Sequence, residues 1–357
     1  MKKMLIIGSY NRDYHRNKLI IKALSFKFNV REINLLDYRN NILKHFSFLF
    51  KLLFNGAHHD YVYLMFPSYQ FAFEVLLFKI IFFKKKIIYD AFISIYDTNV
   101  QSNKLISKFS LKSLYYYIID FLSCFLADIL IFDTKEHRLF FENKFHINNK
   151  KIKIIIPVIV NYKFIDQAKS DQDFKFFDNN SFNILFYGKY TALHGVEYIV
   201  KAAKYLEKEN LKFILVGSGL TIKKIRKTVK ELSLKNIIFV EKMDYKDLIA
   251  CIKKADLCLG IFGSTEKARR VVPNKVLDYL ACGKLVVTGR NTALERCFKD
   301  GQDLIYCNMA DSQDLAKKIE YICHNYDNIK HIENNAKSKI EDFFSLKKAI
   351  EIIKNKF

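Results

Sequence analysis

The sequence contains no CxxC pair, no complete GxGxxG and no apolar run of bilayer length, and it is short of carboxylates. Each absence excludes something. Its seven scattered cysteines, odd in number, signal neither a disulfide framework nor a zinc site, and with no signal peptide they fit a reducing cytoplasm. The run Phe71 to Phe83 falls well short of the roughly 20 residues that cross a membrane, so no transmembrane helix is expected. Aspartate and glutamate number 37 against 59 lysines and arginines, a net charge of +22. The excess is spread along the chain: residues 1–170 hold 26 basic and 13 acidic residues, and the rest 33 and 24. Such a balance favours an anionic partner: nucleic acid, acidic lipid or a phosphorylated substrate.

What is present reads as two α/β halves. In a chain of 357 residues, half of them apolar, two domains of ordinary size can each bury a core. Strands are predicted at Lys3–Tyr10, Asp60–Phe66, Lys85–Phe92, Asp128–Thr134 and Lys151–Pro157, with helical stretches between them. A polar segment, Asp166 to Ser181, reads as a linker. The pattern then restarts with strands at Asn183–Tyr190, Leu211–Leu220, Lys235–Lys242, Ala255–Gly263 and Gly283–Gly289. Strands apolar on both faces and alternating with helices indicate parallel sheets covered on both sides. Ligands of such sheets collect beyond the carboxyl ends of strands, which draws attention to Gly8, Gly188, Gly217 and Gly219.

The segment EKARRVVPNKVLDYLACGK, Glu266 to Lys284, crowds five basic residues round a short helix with one carboxylate, Asp278. Pro273 and Asn274 start that helix and Gly283 stops it. Cations at a helix N-terminus add to its positive potential, which suits a phosphate; a solvated basic face is the plainer alternative.

Taken in order, GKYTALHGVEYIVKAAKYL, FILVGSG and VVPNKVLDYLACGKLVVTG resemble family 4 of the nucleotide-sugar glycosyltransferases. GSYNRDYHRN, YDAFISIYDT and LIFDTKEHRLFF in the first half fit as well. The resemblance implies a GT-B fold, two Rossmann-like domains facing each other across a cleft: residues 1–165 for the acceptor, a linker at 166–181, residues 182–340 for the donor, and a C-terminal helix at 341–357 that could pack back on the first domain. It also implies transfer with retention of configuration. Two departures stand out: Arg270 occupies the place of the first of two glutamates, Asp278 the second, and His194 replaces a lysine.

On that reading Lys189, Lys267, Arg270 and Lys275 are candidates for the donor diphosphate, because fixed cations stabilise a departing phosphate without a metal. Gly188, Gly217, Gly219, Met243, Asn274 and Asp278 would bind the nucleotide, Asp278 through ribose hydroxyls or, as the structural alternative, by pairing with Lys275. On the acceptor side the candidates are Gly8, Asn11, Arg12, His15 and Arg16, with Asp90 or Asp97 orienting or deprotonating the hydroxyl. No metal site and no cofactor beyond the nucleotide sugar is expected; the adjacent His58 and His59 point different ways on most backbones. The expected partners are a nucleotide-sugar donor, a glycan or lipid-linked acceptor and an anionic membrane surface, with the protein at the inner face of the cytoplasmic membrane in bacterial cell-surface polysaccharide synthesis. The alternatives are a sugar-nucleotide epimerase of the same fold and a basic nucleic-acid-binding protein. The Phe- and Leu-rich stretch from Lys44 to Phe54, with Phe46, Phe48, Leu49, Phe50, Leu52, Leu53 and Phe54, fits either core burial or a helix at a membrane surface.

Overall fold

A computed structural model describes residues 1–168 and 173–357. The chain divides into two compact units, Met1–Ile159 with Leu346–Phe357, and Val160–Ser345. The predicted linker overlaps residues 169–172, which lie outside the described residues.

Unit 1 is built on six parallel strands, β1 (Lys3–Gly8), β2 (Asn29–Asn34), β3 (Tyr61–Leu64), β4 (Lys86–Asp90), β5 (Ile129–Phe132) and β6 (Ile152–Ile155), in the order β2-β1-β3-β4-β5-β6. Five of them were predicted from their apolar runs. Strand β2 was not, because Arg31 and Glu32 interrupt Val30 and Ile33 at the sheet edge, where one side of the strand meets solvent. One face of the sheet is covered by α1 (His15–Leu24), through Leu19, Ile20 and Ala23. The other carries α2 (Asn41–Gly56), α3 (Ala72–Ile81), α4 (Leu111–Leu126) and α5 (Lys135–Lys144). Side-chain oxygens of Asn40, Ser110 and Thr134 cap α2, α4 and α5 by accepting from backbone N–H groups.

Unit 2 repeats the plan with β7 (Phe182–Tyr187), β8 (Leu211–Val216), β9 (Ile237–Val240), β10 (Leu257–Leu259), β11 (Val286–Gly289) and β12 (Ile305–Cys307), again all parallel, in the order β12-β11-β10-β7-β8-β9. Its helices are α6 (Tyr162–Gln167), α7 (Val196–Tyr205), α8 (Ile222–Glu231), α9 (Tyr245–Lys254), α10 (Asn274–Ala281), α11 (Thr292–Glu295), α12 (Ser312–His324), α13 (Tyr326–Ile329) and α14 (Ile332–Phe344). The last helix, α15 (Leu346–Lys356), belongs to unit 1, where Ala349 and Ile353 join α1 in the core.

Sheet order fixes where a ligand can sit. In unit 2 the chain starts at β7, builds outward through β8 and β9, and then crosses to β10 on the other side of β7. The ends of β7 and β10 therefore flank the point where winding direction reverses, the usual crevice of open α/β sheets.

Helix α2 divides the Phe- and Leu-rich segment between a buried face and an exposed one. Phe48 and Leu52 are fully buried, and Phe48 stacks on Phe71 with ring centroids 3.9 Å apart. Phe46, Phe50 and Phe54 face solvent. Phe48→Ala should therefore cost about 3–5 kcal/mol in chemical denaturation, while Phe50→Ala should stay within about 0.5 kcal/mol of the parent. Equal effects of the two would mean that the helix is rotated from this arrangement.

Candidate functional site

Burial of α10 decides the site in unit 2. Val276, Leu277, Leu280 and Ala281 are buried at helical spacing and hold the helix against the sheet. That packing carries Lys275 inside as well: its side chain is buried, and its ammonium finds no hydrogen-bond acceptor among the described residues. The nitrogen lies 3.8 Å from the centroid of the Phe186 ring, whose π face is its compensating contact. Burial drives the pKa of Lys275 well below the usual lysine value.

Gly188, which follows β7, lets this ammonium pack close against the backbone. A Cβ there would fall 2.8 Å from Lys275 Nζ, and the φ of +146° is one that other residues rarely adopt. The β8 loop closes against it: Gly217, at φ +121°, runs so near that a Cβ would stand 2.3 Å from the Gly188 carbonyl oxygen. Gly219 lies against the backbone of Tyr190, whose N–H donates to the Ser218 carbonyl at 2.9 Å. Lys189 is exposed at the end of β7, and its carbonyl oxygen meets His194 Nδ1. Burial and the charge of Lys275 push the His194 imidazole down to about 3, so it is neutral beside the lysine.

Lys275 and Asp278 do not pair. The aspartate turns away to accept from the hydroxyls of Tyr187 at 2.5 Å and Tyr245 at 2.8 Å, and the Tyr187 backbone N–H donates to the hydroxyl oxygen of Tyr279, on the same helix, at 3.1 Å. Burial raises the Asp278 carboxyl to about 6, against the opposing pull of its two tyrosine partners. Both of its oxygens are thus used inside the protein, where a ribose ligand was expected. Of the remaining candidates, Asn274 opens α10 half-buried, Lys267 is buried and Arg270 half-buried in the turn ahead of it, and Met243 is half-buried with its sulfur 3.6 Å from Cys251 Sγ.

Unit 1 gathers a second polar cluster at its strand ends. Asp90 closes β4 fully buried and receives both Arg16 Nη2, at 2.8 Å, and Arg16 Nε, at 3.3 Å. The guanidinium in turn lies 4.3 Å from the Phe92 ring centroid. Neither residue is the open strand-end group predicted from sequence; they are a closed ion pair. Beside them Asp133 meets His137 Nδ1 at 2.8 Å, and the other ring nitrogen of His137 is buried with no hydrogen-bond partner among the described residues. Burial raises the Asp133 carboxyl, but His137 and Arg16 outweigh it and hold the group below the usual carboxylate range. Asp97 is buried at the start of a π-helical turn, its N–H donating to Ser94 Oγ at 2.9 Å. Asp120 fixes that loop by accepting from Ser94 Oγ at 2.6 Å and from the Tyr96 N–H at 2.9 Å.

The acceptor-side candidates are scattered in role. Gly8 ends β1 against Ser68, and Asn11 and Arg12 are exposed, with Arg12 paired to Glu32 at 2.8 Å. His15 is half-buried, its Nε2 3.0 Å from the Ile159 carbonyl oxygen, and burial lowers its pKa. His59 Nδ1 lies 2.6 Å from the Asn55 carbonyl oxygen, and Asp60 accepts from the Lys3 N–H at 2.8 Å.

Residues 167–339 match the family model of the glycosyl transferases group 1. The group 1 segment contains the whole Lys275 site. Among curated proteins, the chain is 27% identical over 259 residues to an uncharacterized glycosyltransferase of Methanocaldococcus jannaschii, covering 71% of this chain and 64% of that protein. It is 25% identical over 199 residues to a Campylobacter jejuni alpha-1,4-N-acetyl-D-galactosaminyltransferase, covering 54% and 51%. The chain thus spans from about half to just under two thirds of the length of these relatives. Among solved structures it is similar to Anabaena HepE in complex with UDP and glucose, with a TM-score of 0.76, 14% identity and 99% of both chains covered. It is also similar to WaaG, a glycosyltransferase involved in lipopolysaccharide biosynthesis, with a TM-score of 0.67, 14% identity, and 98% and 99% covered. These likenesses are of fold, the two Rossmann-like α/β domains of the GT-B class.

Sequence reasoning missed Tyr187, Tyr245 and the Asp133 and His137 pair. The pair had a signal: two residues four apart, one just before and one within a helix start, share a face. The tyrosines had none, since they reach Asp278 from distant elements.

Two outcomes follow from these contacts. Asp90→Ala leaves the Arg16 charge buried and unpaired, so it should cost about 3–5 kcal/mol in denaturation, and Arg16→Met with Asp90→Leu should recover most of that. Unchanged stability with lost turnover would make Asp90 a chemical group instead. For Asp278 the folded-state pKa of about 6 lies above the usual 3.8, so its contribution to stability is present below 3.8 and is lost as pH rises through about 6. Asp278→Asn removes this titration, and its stability relative to the parent should rise between about pH 4 and pH 7. A flat difference would show that the carboxyl is solvated.

Proposed function

We propose that the protein is a retaining glycosyltransferase that moves a sugar from a nucleotide-sugar donor to a lipid-linked glycan in the synthesis of a bacterial surface polysaccharide. The observation that carries this is the buried ammonium of Lys275, unpartnered among the described residues and facing the glycine-lined end of β7. A diphosphate is the kind of group that would compensate it, because a charge-assisted contact to an anion is strongest where water is excluded. The group 1 match over this segment supports a nucleotide-sugar donor. The Campylobacter relative, whose name gives an undecaprenol-linked acceptor, supports a lipid-linked one.

In the proposed reaction the bond between the sugar C1 and the diphosphate oxygen breaks, and its electron pair passes to that oxygen. Lys275, with Lys189 at the strand end, takes up the developing charge without need of a divalent metal. The acceptor hydroxyl oxygen forms the new bond on the face the diphosphate leaves, and its proton passes to the departing phosphate. Asp278 acts as a positioning residue: it ties β7, through Tyr187, and α9, through Tyr245, to the helix that carries Lys275. An epimerase on the same fold would need several carboxylates free at the sugar, and Asp278 is engaged by tyrosines instead.

Thermal unfolding with nucleoside diphosphates, beginning with UDP, tests the reading. A ligand at 100 times its dissociation constant should add about 2.7 kcal/mol of stability. Lys275→Met should bind it about ten- to a hundredfold more weakly, yet be at least as stable as the parent without ligand, since an unpaired buried charge has been removed. No shift with any nucleoside diphosphate, or equal affinity in the variant, would overturn the proposal.

A further inference from the structure

The helices α2, α3 and α4 bury one side against the sheet of unit 1, yet their outer sides are apolar too. On α2, Phe46, Phe50 and Phe54 stand one turn apart, and each is at least 60% exposed. Leu77, Ile80 and Ile81 make the same stripe on α3, and Leu114, Ile118 and Phe125 continue it on α4. Side chains at this spacing share a helix face, and α3 packs against both neighbours, so the three stripes lie in one layer. Soluble monomers rarely expose apolar side chains in such a continuous set.

Charge identifies what covers it. Residues 41–56, 72–86 and 104–126 carry nine lysines and two carboxylates, of which Asp120 is buried and Glu74 is held by His45 at 2.5 Å. Lys84, Lys104 and Lys108 are exposed at the margins of the layer. Where α3 and α4 end, a groove of about 560 Å³ sets Lys79, Lys86, Lys150 and Lys151 beside the exposed rings of Phe83 and Phe125. Within it Lys79 is neutralised by Asp128 at 2.9 Å, while Lys150 lies open to solvent. A second copy of this face would bring lysines against lysines, whereas apolar stripes framed by cations fit an anionic lipid surface, acyl chains below and phosphates at the rim.

We infer that the outer face of α2, α3 and α4 docks the protein on an anionic membrane, with the phenylalanine, leucine and isoleucine side chains entering the interface and the marginal lysines meeting lipid phosphates. No helix among the described residues is long and apolar enough to cross a membrane, so the contact is peripheral. This inference rests on unit 1 alone and stands or falls apart from the donor reading.

Co-sedimentation of the full chain with vesicles tests it, using phosphatidylglycerol and phosphatidylcholine in equal parts beside phosphatidylcholine alone. The protein should pellet with the anionic vesicles at low salt, and high salt should release it as its charges are screened. Phe50→Glu with Ile80→Glu should lower partitioning at least tenfold while the unfolding temperature is unchanged, because both positions face solvent. Lys84→Glu with Lys108→Glu should lower it by at least about fivefold per residue. Failure to pellet with anionic vesicles, or pelleting unaffected by both double variants, would overturn the inference. So would a dimer in sedimentation velocity that Phe50→Glu with Ile80→Glu dissociates, since a second copy would then cover the face.

Discussion

An ammonium group buried with no acceptor among the described residues, that of Lys275, is the constraint on which the rest of unit 2 depends. Removing such a charge from water costs several kcal/mol, and one aromatic face returns only part of it. The fold bears the cost through the apolar side of α10, which locks the helix into the core, and through Gly188, which lets the lysine pack close to the end of β7. Asp278 could have neutralised the lysine from one turn away. The two tyrosines hold it elsewhere, so the lysine meets no carboxylate among the described residues.

Unit 1 shows the opposite treatment of charge. Arg16 and Asp90 satisfy each other, Asp133 faces His137, and Asp120 is surrounded by hydroxyl and backbone donors. This cluster fixes the loops that follow β4 and β5. Within it the Nε2 of His137 is buried with no hydrogen-bond partner among the described residues. Charge is thus paired at the ends of β4 and β5 in unit 1, whereas at Lys275 in unit 2 it meets no acceptor among the described residues.

All strands but β2 and the three-residue edge strand β12 were legible, because buried parallel strands run apolar without alternation, and glycine marked strand ends at Gly8, Gly188 and Gly217. Edge strand β2 was not, since Arg31 and Glu32 hide a half-exposed strand in a polar pattern. The basic segment was read as an anion site, but which of its five cations lie inside depends on how α10 and the turn before it pack against the sheet, and local spacing does not record that. Asp278 was visible as a lone carboxylate, while its partners come from 91 and 33 residues away. Likewise Asp90 read as an open strand end until Arg16, 74 residues earlier, closed over it. In α2, phenylalanine and leucine occupy both faces, so helical periodicity alone could not separate Phe48 in the core from Phe50 outside it.

The most direct measurement is the titration of the Lys275 side chain itself, by NMR of protein labelled at lysine and assigned with Lys275→Met. In the free protein its pKa should lie well below that of ordinary lysines, and saturating nucleoside diphosphate should raise it as the anion meets the charge. A lysine that titrates normally in the free protein, or one unmoved by the nucleotide, would contradict the account.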